Sequence, residues 1–355
     1  MSGVEDQEIH QFFRESAFPS EDCVSEILDL LARCDGLSIR AIEEQTNLRH
    51  GQIEKVLKLL SVENLAPVIK VGSQWRRTPV PYTMDHGIGH LTGQRVQEWA
   101  EVQAYLTDAG CKMSYLRRAL DDANPAPCGK CTSCLGHPIV NVGVDAQLAH
   151  VSGRFLKQAE MVIIPRKQVA PSNDETARAF PTYQFPRLLK ALAAQEGRVL
   201  SRWGDAGWGR SVLNGKHSNH FGDELVEATA EMIQQRWQPD PEPAWVCCVP
   251  SLNHPELVPN FTMRLAQRLG LPFVGCVEKA SHNQSQKEQQ NSFHQCQNLD
   301  GAFTINQPVP SGPVLLVDDI VDSRWTLAVM AALLQQAGSG VVFPVTLAST
   351  SVSDS

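Results

Sequence analysis

The segment that most restricts the fold is Val314-Leu315-Leu316-Val317-Asp318-Asp319-Ile320-Val321-Asp322-Ser323-Arg324-Trp325-Thr326. Four consecutive β-favouring apolar residues predict a strand buried on both faces, the pattern of a parallel sheet. Two carboxylates stand at the expected C-terminal end of that strand, where open α/β sheets place their ligands. After a short loop, Leu327, Met330, Leu333 and Leu334 predict an amphipathic helix that ends at Gly338. The N-terminus of such a helix offers free N–H groups and a partial positive charge to an anion such as phosphate.

The chain has 355 residues, more than one ordinary core accommodates, so two or three domains are expected. Apolar residues make up 42% and charged residues 20%, which describes a folded protein. No apolar run approaches the roughly 18–20 residues that a membrane span requires. Met1-Ser2-Gly3-Val4-Glu5-Asp6 lacks the basic and apolar regions of a secretion signal. A cytoplasmic chain with no membrane partner is therefore expected. Upstream of the acidic pair, Val246-Cys247-Cys248-Val249-Pro250-Ser251 predicts a second buried strand running into a loop. Residues Phe261 to Leu269 have helical spacing, Leu271 to Gly275 resume an extended run, and Lys279 to Asn298 are polar.

These segments together resemble type I phosphoribosyltransferases, and in particular the phosphoribosyltransferase domain of competence-type proteins and of some bacterial RecQ-like helicases. The resemblance implies an α/β domain over residues 181–350 with a mainly parallel sheet. It implies that Asp318 and Asp319 are catalytic and hold the ribose 2- and 3-hydroxyls of phosphoribosyl pyrophosphate. Asp322, Ser323, Arg324, Trp325 and Thr326 would cradle the 5-phosphate, Ser251 would sit in the pyrophosphate loop, and Lys279 would open a mobile hood. Mg2+ would accompany the ligand and neutralise its pyrophosphate. Two residues depart from the family: Arg324 stands where glycine is usual, and Ser323 replaces threonine. Glycine permits positive φ and close backbone approach, so Arg324 either distorts the phosphate cradle or adds a charge to it. The pyrophosphate loop has Leu252 and Asn253 and no cation among them.

Ten cysteines are present. Cys128-Gly129-Lys130-Cys131-Thr132-Ser133-Cys134 is a doubled C-x2-C, and Cys111 precedes it across a stretch of helical spacing. Four thiolates complete a tetrahedral Zn2+ shell with no open position, so Cys111, Cys128, Cys131 and Cys134 are expected to hold a structural zinc. Such binding, worth about 10–16 kcal/mol, would organise a small helical segment. Buried free thiols, or a disulfide pair, are the other readings. Cys23, Cys34, Cys247, Cys248, Cys276 and Cys296 have no ligand spacing and read as small core residues. The run from Cys111 to Leu135 resembles the zinc-binding subdomain of RecQ-family DNA helicases. No G-x-x-x-x-G-K-[ST] phosphate loop and no motor box accompany it, so the chain is expected to be neither a helicase nor an ATPase.

Residues 1–19 read as a loose polar tail. Over 20–80, three short helices are expected: Val24 to Leu31, a second opened by Ser38, and a third from about His50. A hairpin follows, from Val68-Ile69-Lys70-Val71 through a turn to Gln74-Trp75-Arg76-Arg77. This is the winged-helix pattern. Arg49, Lys55 and Lys58 on the third helix, with Lys70, Arg76 and Arg77 on the hairpin, would then face phosphates; a protein-binding module with solvated charges remains open. In Asp85-His86-Gly87-Ile88-Gly89-His90 the two glycines favour a loop, followed by a helix from Leu91 to Asp108 that leads into a zinc subdomain spanning 81–137.

The formal net charge of -8 conceals an uneven distribution. From Pro138 to Lys216 eleven basic residues face six acidic ones, and residues 138–180 read as a basic connecting segment. Arg166, Lys167, Arg202 and Arg210, interleaved with Trp203 and Trp208, suit a nucleic-acid track; inward-packed tryptophans with solvated arginines are the alternative. The combined resemblance implies a detached C-terminal half of a RecQ-like helicase. The chain would be a DNA-repair or recombination accessory subunit, nucleoid-associated when bound to DNA, that partners a separate RecQ-like motor. A free-standing phosphoribosyltransferase acting on a nucleobase, and a phosphoribosyl pyrophosphate sensor that alters DNA affinity, are the competing expectations.

Overall fold

The computed structural model describes residues 4–82, 86–170, 179–280 and 286–350. Two compact units divide the chain, Met1–Asp145 and Ala146–Ser355.

The first unit opens with a helix where a loose tail was expected. This helix, α1 (Val4–Glu15), has its His10 ring stacked on Trp99 at 3.8 Å. Then come α2 (Glu21–Ala32), α3 (Ile39–Gln45) and α4 (His50–Ser61). Ser20 and Ser38 cap α2 and α3 by accepting from the Cys23 and Ala41 N–H groups. The hairpin β1 (Val68–Val71) and β2 (Gln74–Arg77) follows, turning at Gly72 with φ 61°. Trp75 also exchanges backbone hydrogen bonds with Leu37, which ties the hairpin to the loop between α2 and α3. Ile27, Leu31, Ile42, Ile53, Leu57 and Val68 form one core with Trp75.

The expected loop over Asp85–His90 is a correction. A 22-residue helix, α5 (His86–Thr107), begins at His86. Each helical glycine costs about 1 kcal/mol against alanine, too little to stop a helix that the following eighteen residues propagate. Asp85 and the side chains of His86 and His90 lie outside the described residues. Beyond α5 are α6 (Lys112–Ala119) and the single turn α7 (Thr132–Leu135).

The second unit is a mixed α/β structure around one sheet. In chain order it contains α8 (Ala146–Gln158), β3 (Met161–Ile163), β4 (Gly197–Arg202), α9 (Gly209–His217) and α10 (Asp223–Glu231). Next are β5 (Trp245–Cys248), α11 (Leu257–Leu269), β6 (Val277–Lys279) and α12 (Ser292–Leu299). The last elements are β7 (Phe303–Ile305), β8 (Val314–Val321), α13 (Trp325–Gln336) and β9 (Val342–Ser349). Five strands pair in the order β3-β4-β9-β8-β5, all parallel except β3. Phe273 adds a parallel bridge to Val246 beyond β5, and β6 pairs antiparallel with β7 in a separate ribbon.

Alternation along β8 shows why its apolar run has no polar break. Val314 and Leu316 enter one core with Trp325, Met330 and Phe303, whereas Leu315 and Val317 enter the other with Phe261, Leu265 and Leu225. Both faces are covered, as a parallel sheet requires. The following helix departs from expectation: α13 is buried almost all round rather than amphipathic, because α12, β7 and β9 all pack on it. Among the described residues no helix is long and apolar enough to cross a membrane.

Candidate acidic site and four-cysteine cluster

β8 continues past the acidic pair to Val321 instead of ending at it. β5 accompanies β8 only as far as Cys248 opposite Val317, whereas β9 pairs with it as far as Ser349 opposite Val321. Asp318 and Asp319 therefore sit inside the strand but beyond its β5 neighbour, close enough for the Asp319 charge to act on the Asp318 carboxyl. Asp319 is 8% exposed, and its Oδ2 accepts a hydrogen bond from Lys216 Nζ in the last turn of α9. Asp318 Oδ1 accepts from the Asp319 N–H at 2.9 Å. Burial raises the Asp318 carboxyl well above its ordinary range, and the Asp319 charge adds to this against the opposing pull of the Asp319 N–H and Lys216. Lys279 on β6 lies within electrostatic reach of Asp318; burial lowers its ammonium and the Asp318 charge partly restores it.

The α9 helix that delivers Lys216 is fixed at its start. A Cβ on Gly209 would fall 1.8 Å from the Arg202 carbonyl oxygen, so only glycine lets the helix begin against the end of β4. The Asp205 carboxylate braces the same loop, accepting from the N–H groups of Arg202, Gly207 and Gly209. At the other end of α9, Asn219 Oδ1 lies 2.9 Å from His254 Nδ1 in the loop after β5. Ser251 Oγ in that loop accepts from the His254 N–H at 3.3 Å. Neither Lys216 nor His254 stood out in the sequence as a site residue. Their partners are distant along the chain, and no local pattern marks them.

The turn between β8 and α13 keeps its left-handed residue without glycine. Arg324 has φ 67° and ψ 1° and immediately precedes the first turn of α13, a conformation that costs a non-glycine residue roughly 1–2 kcal/mol. Two contacts hold this turn. Arg324 Nη1 donates to the Ile164 carbonyl at 3.3 Å, and Arg166 Nε donates to the Ser323 carbonyl at 3.1 Å. The Arg166 guanidinium also stacks 4.5 Å from the Trp325 ring centre, and burial followed by the Arg324 charge lowers its pKa. Arg166, expected on a nucleic-acid track, is thus part of this turn. Trp325 is 2% exposed, so its side chain belongs to the core and only its backbone can serve a ligand. Asp322 is exposed, while Ser323 and Thr326 are half-buried.

The other expected nucleic-acid contacts divide into two groups. Arg49, Lys167, Arg202 and Arg210 are exposed. Lys55 is exposed but donates to the Ser16 carbonyl, and Lys58 pairs with Glu54. Arg76 pairs with Asp35, and Arg77 Nη1 donates to the Pro67 and Thr78 carbonyls, so both engage their own module. Lys70 lies over the Trp75 ring. Trp203 and Trp208 pack partly on the second core, and Lys157 stacks over Trp208 at 4.2 Å. A cavity of about 810 Å³ where β4 and β9 begin is lined by Lys167, Lys190 and Arg198 with Trp237 and Phe343.

In the first unit, the sulfurs of Cys111, Cys128, Cys131 and Cys134 lie within 4.8 Å of one another and could hold a metal ion. All ten thiols are free. Cys111 and Cys131 each immediately precede a helix, α6 and α7, and the Cys111 sulfur accepts from the Ser114 N–H at 3.4 Å. Hydrogen bonds from Ser114, then from the Cys128 N–H, lower the Cys111 thiol to about 5. For Cys134 the Gly129 N–H acts downward, but the neighbouring Cys131 sulfur, burial, Cys111 and Cys128 outweigh it and push the thiol up to about 11. Four thiols this close favour partial ionisation, which a soft-ligand cation would complete. Around them, Lys112 caps the end of α5 by donating to the Tyr105, Leu106 and Asp108 carbonyls. Ser114 Oγ donates to the Ala126 carbonyl and anchors the knuckle to α6.

No family model and no curated protein sequence matches the chain. Among solved structures it is similar to the adenine phosphoribosyltransferase of Leishmania tarentolae, with a TM-score of 0.26 and 16% identity over 36% of this chain and 72% of that one. The adenine phosphoribosyltransferase of Leishmania donovani gives a TM-score of 0.25 and 16% identity over 36% of this chain and 66% of that one.

The raised Asp318 carboxyl has a stability consequence with a definite sign. Because the folded chain holds this proton more tightly than the unfolded chain, stability falls as pH rises above about 4, the ordinary carboxylate pKa. Asp318→Asn removes that penalty. Calorimetry is expected to show a raised unfolding midpoint for the variant, by a larger margin at pH 8 than at pH 4. A margin that stays constant over this range would contradict the assignment.

Proposed function

We propose that the second unit is a phosphoribosyltransferase-type module that binds 5-phosphoribosyl diphosphate and transfers its phosphoribosyl group to a nitrogen of an acceptor base. The observation that carries this reading is the juxtaposition of the Asp318–Asp319 pair with the Asp322–Thr326 turn at the start of α13. Vicinal ribose hydroxyls donate well to paired carboxylates, and a helix N-terminus suits a phosphate. In the reaction the bond from ribose C1 to the pyrophosphate oxygen breaks and its electron pair leaves on pyrophosphate. A base nitrogen forms the new bond to C1 and releases its proton to solvent. Of the two carboxyl groups, Asp319 is the one that supplies negative charge beside the ring as positive charge develops there. They are also hard oxygen donors of the kind magnesium takes, and magnesium bound with the ligand would neutralise the leaving pyrophosphate. Incubating the chain with the ligand, magnesium and a panel of bases is expected to release pyrophosphate. Asp319→Asn should lower the rate at least about a hundredfold. Background release with every base would refute transfer.

A second reading is favoured by the four-cysteine cluster. It makes the chain an accessory subunit to a separately encoded RecQ-like helicase in DNA repair or recombination. The cluster would hold structural zinc, and the α2–α4 helices with their hairpin would act as a winged-helix module. The exposed Arg49, Lys167, Arg202 and Arg210 would be the DNA-facing cations. Affinity purification from native cells is expected to recover one zinc per chain together with a motor-bearing helicase, and both should be lost from a Cys111→Ser, Cys131→Ser double variant. Recovery of zinc-loaded chain with no helicase would rule out the partnership.

A further inference from the structure

The loop after β5, Val249 to Glu256, contains no lysine or arginine. A ligand whose pyrophosphate lay against that loop would therefore meet no fixed cation from it, and its one histidine, His254, is already engaged with Asn219. The last turn of α9 and the turn that follows it touch both the acidic pair and this loop. Lys216 donates to Asp319 on β8, and Asn219, three residues on, meets His254 in the loop. Since Gly209 and Asp205 fix the start of α9, its final turn has a defined place between the acidic pair and the loop. Lys216 itself is not locked in: its side chain is 28% exposed, and its four-carbon stem turns readily.

We propose, on the basis of the phosphoribosyl reading, that Lys216 is a pyrophosphate-binding residue that is parked on Asp319 in the free protein. When the ribose hydroxyls take Asp319, the ammonium turns to the pyrophosphate. Electrostatics gives the direction of this exchange. A cation held beside the ribose would oppose the positive charge that develops at C1, whereas the same cation on pyrophosphate stabilises the charge that leaves. Lys279 does not duplicate this role, since it faces Asp318 from the β6–β7 ribbon and its ammonium stands 5.9 Å from the Phe303 ring.

The test is calorimetric titration of the full chain, with magnesium, using three probes: phosphoribosyl pyrophosphate, ribose 5-phosphate and inorganic pyrophosphate. Lys216→Met is expected to weaken the two pyrophosphate-bearing probes by about ten- to a hundredfold, the worth of a charge-assisted contact. Ribose 5-phosphate should hold its affinity or gain. Lys216→Arg should keep most of the affinity for all three. Asp319→Asn supplies an arm that does not depend on how Lys216→Met folds: it frees Lys216, so inorganic pyrophosphate should bind more tightly while ribose 5-phosphate weakens. Equal weakening of all three probes in Lys216→Met would make Lys216 a mere support for Asp319 and overturn the proposal, as would unchanged pyrophosphate binding in both variants. If the wild-type chain binds neither phosphoribosyl pyrophosphate nor ribose 5-phosphate, the phosphoribosyl reading falls and this inference falls with it.

Discussion

The unequal lengths of the strands beside β8 determine where the chemistry of the second unit can lie. Up to Val317 the strand has a neighbour on each side and an apolar core on each face. Past that point β5 has ended and β9 alone continues to Ser349. The last four residues of β8 therefore gain the regularity of a sheet without full enclosure. Carboxylates can be placed there rigidly and still be reached. Had β5 continued alongside, Asp318 and Asp319 would be enclosed in the sheet, where unpaired charges cost several kcal/mol.

The rest of the site compensates for two charges held close together. Lys216 answers Asp319 directly, and Lys279 lies within reach of Asp318. The turn into α13 carries a similar tension, since Arg324 occupies a backbone region that favours glycine. Its guanidinium bonds to Ile164, and Arg166 grips the neighbouring Ser323 carbonyl while stacking on Trp325. Strain of this kind persists only where the surroundings over-determine it. The departure from glycine thus adds a cation beside the helix N-terminus without opening the turn.

What the sequence disclosed follows from how local each signal is. The apolar run Val314–Val317 and the doubled C-x2-C motif are contiguous, and the strand and the sulfur cluster could both be anticipated from them. The end of β8 could not, because Asp318 and Asp319 read as the end of the strand until β9 provides backbone partners for Ile320 and Val321 as well. α13 read as amphipathic because its leucines have helical spacing; its alanines gave no hint that the other faces are covered too. Arg166 read as one cation in a basic stretch, and its contact with Ser323 crosses 157 positions of sequence. Lys216 was counted in the same stretch for the same reason. The two glycines of His86–His90 misled in the opposite sense: a local penalty was real but smaller than the helix that overran it.

The most direct test of the account is a crystal structure of the chain with magnesium and phosphoribosyl pyrophosphate. The account predicts ribose hydroxyls at the Asp318–Asp319 carboxylates, the 5-phosphate at the Asp322–Thr326 turn beside Arg324, and the Lys216 ammonium moved from Asp319 to the pyrophosphate. Ligand density in the basic cavity lined by Lys167, Lys190 and Arg198, with the acidic pair still bonded to Lys216, would contradict it.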